Sequence, residues 1–173
     1  LIIIQFCENK NALKISKELE LNYKTVKDRF DIFRKKIALF LEHEYNHSIK
    51  DYNEYEEFYY IKEREKKKKK KSLSESINIM GFYSNKKVYT LLMPKIGRRA
   101  FDIEDGFIQY LNWNKIHSSN SHQTNLNIFW KFLEDNLKKY KGFEEDNFFY
   151  YLKESEFKFN YTKDEQIEIL RNL

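Results

Sequence analysis

The sequence predicts an α+β protein, with helices first, an antiparallel sheet in the middle and helices again at the end. Three observations carry this. A 3.6-residue apolar period runs through residues 11 to 45, two β-rich runs flank Ser84-Asn85-Lys86-Lys87, and the helical period returns from Leu126. The length agrees: 173 residues with 41% hydrophobic content support one core, or one core and a small module. Cys7 is the single cysteine, which excludes an internal disulfide and a cysteine zinc site and fits a reducing compartment. No apolar run nears the ~20 residues of a membrane span, because Leu1-Ile2-Ile3-Ile4 meets Gln5 at once and Glu8-Asn9-Lys10 soon after. The start lacks an initiator Met, so the chain reads as the downstream part of something longer.

The first element is a short helix with Ala12, Ile15, Ser16 and Leu19 on one face. Glu20-Leu21-Asn22 interrupts it, and Val26, Phe30, Phe33, Ile37, Phe40 and Leu41 continue the period on a longer helix. Helix, tight turn, helix is the layout of a groove-reading pair. Lys24, Thr25, Lys27 and Arg29 crowd the first turns of the second helix, where a recognition helix holds its DNA-contacting side chains. The plain alternative is an amphipathic helix pair without a ligand. Glu54 to Ile61 is aromatic-rich and reads as a strand. Ile77 to Tyr83 and Val88 to Met93 read as a hairpin stopped by Pro94. Residues 100 to 105 read as a short strand, and Gly106 opens a helical stretch towards Ile116. Phe129, Phe132, Leu133, Leu137 and Tyr140 then share a helical face, and Phe148, Tyr151, Leu152, Ser155 and Phe159 mark another. Aromatics at this spacing predict core rather than a binding platform.

Net charge is +5, and one segment holds the excess. Lys62 to Lys71 contributes +6 and the remainder −1. Such a run neutralises phosphates and releases counterions, unless it is only a solvated loop. Two sets of side chains suggest chemistry. His43-Glu44-Tyr45-Asn46-His47 has the spacing that places two imidazoles on one helix face for zinc, with the glutamate as base. No clear third ligand accompanies it, and two solvated histidines are the plain reading. Glu56 lies mid-strand and Asp105 at a strand end, so both suit a cleft holding divalent metal, although carboxylates are abundant here.

Several stretches carry a family likeness. His122-Gln123-Thr124-Asn125-Leu126-Asn127-Ile128-Phe129-Trp130, then Tyr140-Lys141-Gly142, Tyr151-Leu152-Lys153-Glu154 and Phe157-Lys158-Phe159-Asn160 resemble the C-terminal signatures of ISXO-type (DDE-class) bacterial insertion-sequence transposases. Glu54-Tyr55-Glu56-Glu57-Phe58-Tyr59-Tyr60 is similar to that family's Glu-x-Asp-Glu-x-Tyr-Phe strand, and Asp105 with Tyr110 to its Asp-x-x-x-x-Tyr. The likeness spans about Ala12 to Asn160.

The resemblance implies an RNase H-like mixed sheet packed with C-terminal helices, in which acidic residues hold Mg²⁺ or Mn²⁺ for DNA strand cleavage and joining. Carried over by position, the catalytic places fall on Glu56, Asp105 and Asn127, with Glu56 and Asp105 holding metal. Asn127 brings no charge, and Glu134 stands where the family has a basic residue. These departures suit a diverged copy that keeps the fold while losing turnover.

The expected organisation is therefore a helix-turn-helix DNA-binding region at 1–49, an RNase H-like domain at 50–161 and a tail at 162–173. Lys24, Thr25 and Lys27, with Lys66, Lys67, Lys68, Lys69, Lys70 and Lys71, would hold DNA. The expected partners are double-stranded terminal repeats and target, in the cytoplasm at the nucleoid, with room for a homo-oligomer on DNA. The alternatives are a helix-turn-helix protein that catalyses nothing, and a zinc hydrolase built on His43 and His47.

Overall fold

A computed structural model of the chain describes residues 1–48, 53–61, 76–94, 124–140 and 143–173. It has mixed α and β structure with a three-stranded antiparallel sheet and several helices. Two compact units divide it: Leu1–Asp51 with Asp135–Leu173, and Tyr52–Glu134. No helix among the described residues is long and apolar enough to cross a membrane.

The first unit opens with α1 (Ile2–Cys7), α2 (Ala12–Glu18) and the long α3 (Tyr23–His47). Local chemistry sets their ends. Asn11 caps α2 by accepting the Lys14 N–H at 2.8 Å, and Asn22 caps α3 by accepting the Lys24 N–H at 2.8 Å. Helix α2 stops where Glu20 turns into the left-handed region (φ 53°) and the Leu21 N–H reaches back to the Ser16 carbonyl at 2.9 Å. This backbone closure usually employs glycine. Asn9 (φ 59°) ends α1 in the same way, with the Lys10 N–H on the Gln5 carbonyl.

The apolar period of α2 and α3 becomes core. Ile15, Val26, Phe30, Ile37 and Leu41 are buried with Phe6 and Cys7 of α1, and Ala12, Leu19, Phe33 and Phe40 pack against them. The Phe6 and Phe30 rings meet edge-on at 4.8 Å. Burial pushes the Cys7 thiol up to about 11, which makes it a small apolar side chain rather than a nucleophile.

The same unit ends in α5 (Phe148–Asn160) and α6 (Lys163–Asn172). Of the expected face on α5, Phe148, Leu152 and Ser155 are buried, while Tyr151 and Phe159 are half-buried. Phe157 and Leu170 join the core cluster. Periodicity does not anticipate α6, although its start carries a local signal: Thr162 and Glu165 form a reciprocal capping box.

The second unit holds β1 (Glu54–Tyr60), β2 (Ile77–Ser84) and β3 (Lys87–Leu92), paired antiparallel in that order. The hairpin expected at 77–93 is present. Asn85 and Lys86 both take positive φ (51° and 62°), the geometry that matches a two-residue turn to the strand twist. Across the sheet Glu56 faces Gly81 and Gly81 faces Thr90. Helix α4 (Asn125–Lys138) begins in this unit, with Leu126, Phe129, Trp130 and Leu133 buried. The strand and helix expected over 100–116 lie outside the described residues.

Candidate functional site

Two places in the chain bear on function, one in each unit. In the first unit the opening of α3 follows α2 after the four residues Leu19 to Asn22. Val26 and Phe30 point into the core, so Tyr23, Lys24, Thr25, Lys27, Asp28 and Arg29 are left on the surface. At about 100° per residue, Lys24, Lys27 and Asp28 share one side, and Thr25 and Arg29 lie round from them. Nearby, Glu18 of α2 takes ion pairs from Lys10 at 3.1 Å and Lys14 at 3.8 Å, which neutralises that carboxylate. The result is a cationic helix start above a rigid apolar base. The lysines 66 to 71, expected to act with it, lie outside the described residues.

In the second unit, strand alternation puts Glu54, Glu56 and Phe58 on one face of β1, and α4 packs on that face. The Glu54 carboxylate accepts three bonds from the start of α4: the Asn125 N–H at 3.3 Å, its side-chain amide at 2.8 Å and the Leu126 N–H at 3.1 Å. A negative charge there satisfies unpaired helix donors and complements the helix dipole. Thr124 accepts the Asn127 N–H at 3.1 Å, so it serves as the cap of α4.

Glu56 is held differently: the Trp130 indole N–H donates to it at 3.1 Å. That indole lies flat on Phe58, with centroids 4.7 Å apart and planes 5° apart. Gly81 makes the approach possible, because a Cβ there would sit 2.5 Å from Trp130 Cζ2. Sequence reasoning chose Glu56 and Asn127 and gave no role to Glu54, which holds the start of α4, or to Trp130, which holds Glu56. The usable signal was the two-residue step from Glu54 to Glu56, which forces a shared face. Asp105 lies outside the described residues, so its position relative to Glu56 is not part of this site.

The histidines of the His-Glu-x-x-His stretch end α3, exposed and stacked at 4.1 Å. Glu44, which a hydrolase would need as base, accepts the Tyr161 hydroxyl. Among the described residues no group of three or more His, Cys, Asp or Glu is gathered for a metal.

Sequence reasoning also missed a buried charge network in the first unit. Glu154 is fully buried and accepts bonds from Arg34 at 2.7 Å, Lys158 at 2.6 Å and the Tyr140 hydroxyl at 2.7 Å. Arg34 also lies over the Tyr151 ring at 4.3 Å and bonds Asp31 at 2.9 Å. Burial alone would raise the Glu154 carboxyl, but Lys158 and Arg34 outweigh it and hold it at about 2. Tyr140, Glu154 and Lys158 bind the helices of this unit to one another. No protein-family profile, curated protein or solved structure matches the chain.

Proposed function

We propose that this is a double-stranded-DNA-binding protein of the insertion-sequence transposase kind. Helices α2 and α3 act as a helix-turn-helix, and the sheet with α4 forms the start of an RNase H-like domain. The single observation that carries DNA binding is the exposed opening of α3. Lys24 and Lys27 share one side of a turn, with Thr25 round from them, and Asn22, Val26 and Phe30 fix that turn from behind. A preorganised cationic helix start suits entry into a major groove, with lysines on phosphates or guanine edges. The lysines 66 to 71 add sequence-independent phosphate contacts in this reading.

Salt dependence tests it. Each phosphate contact contributes about −0.9 to the slope of log affinity against log salt. Lys24→Ala with Lys27→Ala should therefore flatten the slope by about 2 units, measured by fluorescence anisotropy on terminal-repeat duplex. An unchanged slope removes α3 from the interface.

A second reading, metal-dependent strand cleavage and joining in an insertion-sequence element, draws support from one contact set. The β1 strand and the α4 start, the two segments that the family likeness makes neighbours, are packed together through Glu54, Glu56 and Trp130. In that reading Glu56 and Asp105 would hold Mg²⁺ or Mn²⁺, which would supply charge stabilisation at the phosphate undergoing transfer. Asn127 supplies an amide where charge is preferred, which favours weak or absent turnover. Mg²⁺-dependent nicking of terminal-repeat DNA that disappears in Glu56→Gln would establish the reaction. Binding without nicking would leave a non-catalytic DNA binder.

A further inference from the structure

The C-terminal end of α3 carries a pair of side chains that neither DNA binding nor strand transfer uses. His43 and His47 lie one turn apart on the exposed face, with ring centroids 4.1 Å apart and planes inclined by only 25°. The His47 Nδ1 lies 2.7 Å from the His43 carbonyl oxygen. A carbonyl only accepts, so Nδ1 carries the proton and the Nε2 lone pair of the neutral ring is left for a ligand. A hydrogen bond that fixes the tautomer and orientation of a ring is the usual support of a metal-ligating histidine. The C-cap adds stiffness: Ser48 leaves the helix with extended backbone, and its hydroxyl donates to the Tyr45 carbonyl at 3.0 Å.

We propose that His43 and His47 form a two-imidazole chelate for one borderline divalent transition ion, of the Cu²⁺, Ni²⁺ and Zn²⁺ group. At metal–nitrogen distances of about 2.0–2.1 Å, neighbouring ligands of one ion stand roughly 3 Å apart. With centroids 4.1 Å apart the two imidazoles lie within reach of one ion, and turning the His43 ring about its side-chain bonds aims its in-plane lone pair at the ion that His47 Nε2 meets. Binding is a ligand exchange. Two waters leave the aquo ion, two imidazole lone pairs replace them, no electron moves, and His47 Nδ1 keeps its proton.

Imidazole selects these ions over Mg²⁺, which prefers oxygen. The site is thus chemically separate from any ion at Glu56. Tyr161 donates to Glu44, the carboxylate a hydrolase of this spacing would use as base, so the proposed role is ion binding alone. What the ion does is staple the last turns of α3, because it binds the preformed helical pair more tightly than the unfolded chain. The inference stands on α3 geometry alone and is independent of the DNA reading.

The experiment uses the full chain without a polyhistidine tag, titrated calorimetrically with Ni²⁺ and with Zn²⁺ in a non-coordinating buffer near neutral pH. One ion per chain is expected, with a raised melting temperature and no response to Mg²⁺. Copper loaded at one equivalent should show two histidine nitrogens by electron paramagnetic resonance. His43→Gln and His47→Gln should each weaken binding about tenfold or more, since the second ring then no longer acts at high local concentration. Both side chains are exposed, so circular dichroism should show unchanged helix content in each variant. The chain has four histidines, and His117→Gln with His122→Gln serves as the control that keeps the site. Absent saturable binding, unaltered affinity in His43→Gln, or loss confined to the His117 and His122 control would each overturn the proposal.

Discussion

Replacing Glu154 by glutamine removes one charge and almost no volume, so its effect isolates electrostatics at the centre of the helical unit. The side chains of Arg34 and Lys158 are only 5% and 3% exposed, and Glu154 itself is 0% exposed. The Glu154→Gln change would leave two cations out of water with no buried anion between them. Breaking a buried pair from one side costs roughly 3–5 kcal/mol, a large part of the ~5–15 kcal/mol that holds a small domain folded. Arg34→Met should cost less, because Glu154 keeps Lys158 and Tyr140 and the methionine fills the site between Phe30 and Tyr151. The double variant should fall well short of the sum, since Glu154→Gln made on top of Arg34→Met strands only Lys158.

Urea unfolding followed by circular dichroism reads all three, with equal m-values as the check on two-state behaviour. A Glu154→Gln protein within about 1 kcal/mol of the parent would refute the charge argument. Acid titration gives an independent reading. The folded carboxyl titrates at about 2 and the unfolded one near 4.5. Its stabilisation is therefore complete above the unfolded value and lost as pH falls from 4.5 towards 2. At about 1.4 kcal/mol for each tenfold change in proton affinity, roughly 3 kcal/mol disappears in that window. The Glu154→Gln protein should lack this acid arm.

Three further substitutions test other parts of the structure. Gly81→Ala drives a methyl into the Trp130 indole, and overpacking of this kind costs roughly 1–3 kcal/mol; near-ultraviolet circular dichroism should lose the Trp130 signal, and an unchanged spectrum would count against the packing. Glu20→Gly relieves a left-handed residue at φ 53° and should stabilise the α2–α3 pair by about 1 kcal/mol in thermal melts; a lower melting temperature would contradict the turn geometry. Glu54→Ala leaves the start of α4 without its carboxylate and should cost roughly 1–2 kcal/mol, with faster exchange of the Asn125 and Leu126 amides; unaltered exchange would show that those donors are satisfied elsewhere.

The elements legible from residue order alone were those whose cause is local. The apolar period of Val26, Phe30, Ile37 and Leu41 dictates both the existence of α3 and the face it buries. A stretch such as Ser84-Asn85-Lys86-Lys87 between β-rich runs dictates a hairpin, and Thr162 with Glu165 marks a helix start that a capping search would find. The exposed opening of α3 was equally legible, because its lysines occupy the side the period leaves over.

Partnerships between distant positions were not legible. Arg34 and Glu154 are separated by 120 positions, and Glu56 and Trp130 by 74. In the sequence each of these charges looks like one more solvated residue on an amphipathic surface. Only the assembled helices decided that Glu154 would lose its water and need Arg34, Lys158 and Tyr140 in return. Only the laying of α4 against β1 decided that Glu56 would face an indole and Glu54 a helix start. The physical reason is one of range: helix, turn and cap energies act within about four residues, whereas desolvation depends on everything the chain brings to the same place.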